Sequence, residues 1–291
     1  MRSPIIKNKW NPNIPKVAHF YWHGEMLSWL RYLTLKTFQK QNPDWRLKFY
    51  YPKVEHTGES DWEAHSKERT GVVGTNYLAR VKELPNTDSI EIDFDDNMPD
   101  VYRSDLLRLK LLAEQGGLWL DMDVITFRPM NEAVFNSGRY DTILSYSLKR
   151  NHYSIGYMLA SSNNKFFNFL YSQGIKNETK AKWLLDKYGD RQLYGVILWD
   201  NYFNHINSIS KRFPFLNLYN FEFTTCYPYL YNDMDNILVN NAPLPEDAIA
   251  IHFYGGHPDV RYWENTLTAD NYKEYNTTLT NCIKRGLNEK N

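Results

Sequence analysis

Disulfides cannot be what holds this chain together. Its 291 residues contain two cysteines, Cys226 and Cys282. So few cysteines argue against a secreted disulfide scaffold and for a reducing compartment. An excess of one charge is also missing. Lys and Arg number 34, Asp and Glu number 34, and the pI is about 7.1. That balance gives a nucleic-acid partner no electrostatic footing. No apolar run reaches the roughly 18 residues that a membrane-crossing helix needs. The first residues lack the apolar core of a secretory signal. Repeats and low-complexity tracts are absent. These absences point to a soluble, cytoplasmic protein. Its length suits one α/β domain over residues 1–291 with a single large core.

What the chain has in abundance is aromatic residues: 22 Tyr, 15 Phe and 9 Trp. Most of them would fill a core. Some suit a sugar or a base, because Tyr and Trp combine an apolar face with a polar edge.

The most informative stretch is 104–124. Leu106, Leu107, Leu109, Leu111 and Leu112 supply the apolar face of a helix spanning Pro99 to Gln115. Gly116 and Gly117 end it, since glycine tolerates the left-handed conformation of a C-terminal cap. Leu118-Trp119-Leu120 reads as a short buried strand. Asp121 and Asp123 follow, and in extended chain they share a face. Paired carboxylates repel unless a cation or a donor group lies between them. At the carboxyl end of a buried strand, where open α/β sheets bind ligands, the pair suggests a divalent metal held against a diphosphate. Spacing alone is weak, because Asp93/Asp95 and Asp233/Asp235 repeat it. Those two pairs have no apolar strand ahead of them and read as solvated loops.

Strands are further expected at Val17–Trp22, Leu47–Tyr51, Thr142–Ser147, Ile155–Ala160 and Ala248–Phe253. Helices are expected at Leu27–Gln41, 165–173, 191–206 and 269–285, with short ones at 60–69 and 75–84. Residues 53–97 read as polar and irregular. Residues 213–231, rich in Phe, Tyr and Pro, read as a loop-rich wall. Both are candidate acceptor-side insertions. Alternating strands and helices in the first half imply a mostly parallel sheet.

The run Ser104-Asp105-Leu106-Leu107-Arg108, then Gly116-Gly117-Leu118-Trp119-Leu120-Asp121-Met122-Asp123, resembles the signature of sugar-nucleotide transferases with a "DXD" motif. These are the α-mannosyltransferase and capsular-polysaccharide transferase family and, more distantly, the glucosylating domain of the large clostridial toxins. Ile14-Pro15-Lys16-Val17-Ala18-His19-Phe20-Tyr21-Trp22-His23-Gly24 is similar to that family's first strand. Asn42-Pro43-Asp44-Trp45 resembles its lead into the second. Ala250-Ile251-His252-Phe253 and Trp263 are similar to its closing His and Trp. Trp119 stands where many relatives have Tyr. Phe253-Tyr254-Gly255-Gly256 follows His252 where many have a second His.

The resemblance implies a GT-A nucleotide-sugar transferase fold, Rossmann-like, with a mostly parallel sheet and flanking helices. It implies a retaining hexosyltransferase that uses a UDP-sugar or GDP-sugar donor, a glycan or other hydroxyl acceptor, and Mn2+ or Mg2+. Asp123 would bind the metal directly. Asp121 would contact ribose, donor sugar or a metal-bound water. His252 is either a third metal ligand or a structural hydrogen-bonding histidine. Asp105 would hold donor-sugar hydroxyls and Arg108 the sugar or diphosphate, with Arg103 as a second phosphate partner. Trp22 would stack on the base. Tyr21 points to the other face of its strand, and it and Trp119 complete the donor-binding set. Trp263 would close over the diphosphate.

Two rivals stay open. One is a non-catalytic nucleotide-sugar or carbohydrate binder that retains the fold. The other is an Asp-x-Asp phosphohydrolase, which lacks its downstream acid because Gly189-Asp190 is followed by Arg191-Gln192-Leu193-Tyr194.

Overall fold

The computed structural model describes residues 10–53, 72–94, 100–130, 140–147, 152–173 and 216–289. The expected helices at 60–69 and 191–206 lie outside them. Seven strands form the main sheet: β1 (Val17–Tyr21), β2 (Arg46–Pro52), β3 (Thr87–Ile92), β4 (Gly117–Leu120), β6 (Thr142–Ser147), β7 (His152–Ala160) and β8 (Leu218–Glu222), in the order β3-β2-β1-β4-β7-β6-β8. β7 runs antiparallel to both its neighbours, and every other pairing is parallel. A second, two-stranded sheet pairs β5 (Val124–Thr126) with β9 (Ala250–His252). The helices are α1 (Trp29–Gln41), α2 (Leu78–Val81), α3 (Asp100–Glu114), α4 (165–173), α5 (Met234–Leu238), α6 (Pro258–Thr266) and α7 (Thr278–Gly286). Among the described residues, no helix is long and apolar enough to cross a membrane.

Strand alternation splits the core in two. Phe20, Leu118 and Leu120 face the layer built on α1, while Tyr21, Leu109 and Trp119 pack together on the α3 side. α1 starts at Ser28, whose hydroxyl accepts the Arg31 N–H at 3.1 Å. Its pattern reads as one apolar face, yet it is buried nearly all round, including Arg31, Thr34 and Thr37. The reason is tertiary: the β5–β9 sheet and the C-terminal helices cover its far side, and Thr37 Oγ accepts the Thr126 N–H at 3.2 Å.

α3 ends where the glycines stand. The Gly116 N–H reaches Leu111 O at 3.0 Å with Gly116 at φ +68°. Gly117 has φ +91°, and a Cβ there would lie 2.4 Å from Val17 O, so β4 can approach β1 only with glycine.

Four expectations need correction. Residues 87–92 are not irregular: they form the edge strand β3, whose half-exposed Thr-Asp-Ser-Ile-Glu-Ile pattern carries little apolar signal. Part of 213–231 is likewise a strand, β8, paired to β6. The closing helix begins at Thr278, because Thr277 caps it with a reciprocal Thr277–Thr280 box. Asp233 and Asp235 belong to the short helix α5 and its N-cap, not to an open loop.

His19 on β1 is fully buried. Its Nε2–H donates to Gly116 O at 2.8 Å, which leaves Nδ1 to face the Tyr50 hydroxyl at 3.1 Å. Burial is the main cause that lowers its pKa to about 4. Between about pH 6.5 and about 4 the unfolded chain therefore takes up a proton that the folded chain refuses, and stability falls as pH falls. The full difference is roughly 3 kcal/mol. His19→Gln removes this contribution. Its unfolding free energy, followed by denaturant titration at pH 4 to 7, is expected to converge on the wild-type value as pH drops; parallel curves would refute a neutral buried His19.

Candidate active site

The parallel strands β1, β2 and β4 end along one edge of the sheet, and β7 begins there. A cavity of about 340 Å³ opens at that edge, lined among others by Trp22, Arg31, Asp105, Arg108, Asp121, Asp123 and His252. Asp121 and Asp123 do not continue β4 as an extended pair. The chain turns at 121–123 and leaves the main sheet to enter β5. They are brought together with His252 because β5 pairs with β9, placing Val124 opposite His252. One ligand atom from each of the three residues lies within 4.8 Å of the others.

Asp123 is the best-supported carboxylate. Its Oδ2 accepts the Gly255 N–H at 2.8 Å, with Arg31 Nη1 at 4.0 Å. Its Oδ1 lies 3.0 Å from His252 Nε2. Burial pushes the Asp123 carboxyl up. The neighbouring His252, Arg31 and the Gly255 N–H outweigh burial and hold it well below the usual carboxylate range. His252 packs against Tyr227 and Tyr254, and its Nδ1 accepts the Tyr254 N–H at 3.3 Å.

Asp121 is more open. Its Oδ1 accepts the Trp119 indole N–H at 2.8 Å and lies 3.6 Å from Arg108 Nη1. Arg108 bridges two acids, because its Nη2 also meets Asp105 Oδ1 at 3.0 Å. Backbone and ring contacts fix it further: Nη1 donates to Ile155 O at 3.1 Å and the guanidinium lies over Trp119. Both members of the Asp105–Arg108 pair are buried, so this is no solvated surface bridge. Burial, opposed by Arg108, raises the Asp105 pKa to about 6. Its anion is thus held at a cost that shrinks as pH falls below about 6 and is gone below about 4.

Tyr21 and Trp119 line the cavity from the α3 side. Trp22 stands between this cavity and a smaller one of about 240 Å³ that reaches Tyr51, Leu78, Lys82 and Ser89. Its ring is 4% exposed, its indole N–H donates to Met26 O, and Arg31 lies over it at 5.2 Å. Two expected residues lie apart from the cavity. Trp263 packs edge-on against Tyr262 and Tyr275. Arg103 is fully buried with its guanidinium over Phe94.

Sequence reasoning missed Arg31, Glu264 and the glycines Gly156 and Gly255. Arg31 had a signal, as the lone charge within Leu27–Leu35. Glu264 had none, because its partner stands more than two hundred residues earlier.

The donors fit a divalent cation. Carboxylate oxygens suit Mg2+ and Mn2+, an imidazole favours Mn2+, and the ligand atoms of Asp121, Asp123 and His252 converge within 4.8 Å.

The mostly parallel sheet, its flanking helices and its acidic edge agree with the GT-A fold expected from the sequence. The model of the family described as "Glycosyltransferase sugar-binding region containing DXD motif" matches residues 7–148. No curated protein matches by sequence. Among solved structures the chain is similar to PaToxG glycosyltransferase, at 16% identity, TM-score 0.46, and coverage of 69% of this chain and 70% of that one. It is similar to the galactosyltransferase LgtC in complex with donor and acceptor sugar analogs, at 12% identity, TM-score 0.42, and coverage of 89% and 100%. It is also similar to the glycosyltransferase GlyE of Streptococcus pneumoniae TIGR4, at 11% identity, TM-score 0.41, and coverage of 92% and 62%.

Gly156 supports Asp121 from β7. Its carbonyl accepts the Asp121 N–H at 3.0 Å, and a Cβ on it would fall 2.6 Å from Asp121 Oδ2 and 2.9 Å from the Tyr227 hydroxyl. Gly156→Ala should displace the Asp121 carboxylate. Affinity for Mn2+, read by electron paramagnetic resonance, should fall about 10-fold or more, for about 1 kcal/mol of stability. Unchanged affinity in the folded variant would separate Asp121 from the cation site.

Proposed function

We propose that the protein is a metal-dependent, retaining hexosyltransferase that uses a UDP-sugar or GDP-sugar and transfers to a hydroxyl of a glycan or similar acceptor. The observation that carries this reading is the convergence of Asp121, Asp123 and His252 within 4.8 Å, beside the buried Asp105–Arg108 pair, in one cavity at the sheet's carboxyl edge. Asp121, Asp123 and His252 would hold the cation, which when bound offsets the charge that builds on a leaving diphosphate.

The chain's own residues do the rest. Arg108, locked over Trp119 and between two acids, presents its fork of donors to donor oxygens. Asp105 accepts from donor-sugar hydroxyls and fixes the sugar's orientation. Trp22 forms the wall against which the base lies. Closure by Trp263 over the diphosphate would require a movement of α6, since its ring faces Tyr275. A non-catalytic binder is less favoured, because such a protein would have no use for a buried, costly Asp105 carboxylate aligned with the two other acids.

In the transfer, the bond between the anomeric carbon and the diphosphate oxygen breaks. A bond from the acceptor oxygen forms, and the acceptor proton passes to the departing phosphate oxygen. This front-face route needs no enzymic base. Among the described residues, the carboxylates lining the cavity are Asp105, Asp121 and Asp123, each assigned here to the donor or the cation. Asp247 accepts from the Thr225 hydroxyl and Asp233 from the Leu230 N–H, and neither lines the cavity.

Asp123→Asn keeps the side-chain volume and removes the anion. The wild type, with Mn2+ and UDP or GDP at about 100 times the dissociation constant, should gain about 2.7 kcal/mol of stability. The variant should gain none under the same conditions. Equal thermal shifts, or full turnover in excess chelator, would overturn the metal assignment. Proton NMR of the product made from an α-linked donor is expected to show an α-linkage. A β-linkage would refute retention.

A further inference from the structure

Arg31 is the only guanidinium within reach of the Asp123 carboxylate among the ion pairs of the described residues, and it is 2% exposed. Burying an unpaired guanidinium costs several kcal/mol, so its partners matter. Its Nε donates to Glu264 Oε1 at 2.7 Å. Its guanidinium lies between the rings of Trp22, at 5.2 Å, and Phe253, at 5.6 Å. Glu264, on α6, has a side chain with no solvent exposure. It also accepts from the Ser28 hydroxyl at 3.2 Å and pairs with Arg261 at 3.1 Å. Ser28 is the N-cap of α1, the helix that carries Arg31. A single carboxylate thus ties the start of α1 to α6.

The turn at 254–256 completes the arrangement. A Cβ at Gly255 would lie 1.7 Å from Arg31 Nη2, so the guanidinium occupies the space a side chain would need. From that close approach the Gly255 N–H reaches Asp123 Oδ2. Oδ2 is therefore engaged by Gly255 and Arg31, while Oδ1 lies 3.0 Å from His252 Nε2.

We propose that Arg31 is a positioning residue for Asp123, and that through Glu264 it makes helix α6 and the 254–256 turn working parts of the cation site. Resting on the metal-dependent reading above, the inference adds two residues to the site, Arg31 at the cavity wall and Glu264 behind it. Arg31 fixes which oxygen of Asp123 faces the cation, and Glu264 fixes Arg31.

The experiment measures Mn2+ binding by electron paramagnetic resonance, alone and with UDP or GDP, together with the thermal midpoint of the metal-free protein. The proteins compared are the wild type, Arg31→Met, Arg31→Lys and the double variant Arg31→Met/Glu264→Met. Arg31→Met leaves Glu264 short of a partner, and both the midpoint and the Mn2+ affinity should fall. The double variant removes both charges and should recover most of the midpoint, since an apolar replacement of a buried pair is often neutral. Its Mn2+ affinity should stay about 10–100-fold below wild type, the range for lost support of a ligand. Arg31→Lys keeps the charge without the fork and should fall between. Recovery of Mn2+ affinity together with the midpoint would show a merely structural pair and overturn the proposal. A wild type that binds no Mn2+ would instead overturn the metal reading itself, and this inference with it.

Discussion

Asp123 is a carboxylate that the fold places where water scarcely reaches, and an ion so placed must be compensated or the chain will not fold around it. The compensation comes from three separate parts of the chain. Arg31 arrives on the first helix, His252 on the last strand, and the Gly255 N–H from the turn after that strand. Each is tied to further structure: Arg31 to Glu264, His252 to the pairing of β9 with β5, and Gly255 to a close approach that excludes a side chain. Much of the C-terminal architecture can be read as the support of one charge.

That view explains why α1 is buried nearly all round. A helix lying on a sheet normally keeps a polar outer face. Here the outer face meets a second layer, made of the β5–β9 sheet, α6 and α7. The layer lets a cation such as Arg31 sit in the interior with its partners already in place. Preorganised groups of this kind act without reorganising when charge develops, which is where electrostatic catalysis gains most.

The second acid is managed differently. Asp121 is partly open, steadied by the Trp119 indole, the Gly156 carbonyl and the Arg108 guanidinium. Arg108 also compensates Asp105, yet burial still raises that carboxyl to about 6. An acid held against its own preference costs stability, and such costs collect where function requires them.

Legibility followed the range of the interaction. Local pattern was enough for the α3 helix, its glycine stop, the short strand after it and the acid pair, because capping and periodicity act within a few residues. The Asp105–Arg108 pair was legible for the same reason, being three residues apart on one helix. His252 could be nominated from its strand, but only the β5–β9 pairing brings it to the acids. β3 escaped because an edge strand need not be apolar. Glu264 escaped because it matters solely through a guanidinium on another helix. The sequence by itself determined which segments become helix, strand and turn around the acid pair, and which residue types could hold a cation. Only the tertiary structure decided which charges meet, because a buried ion pair is set by the packing of whole layers, and no short-range rule links residue 31 to residues 123 and 264.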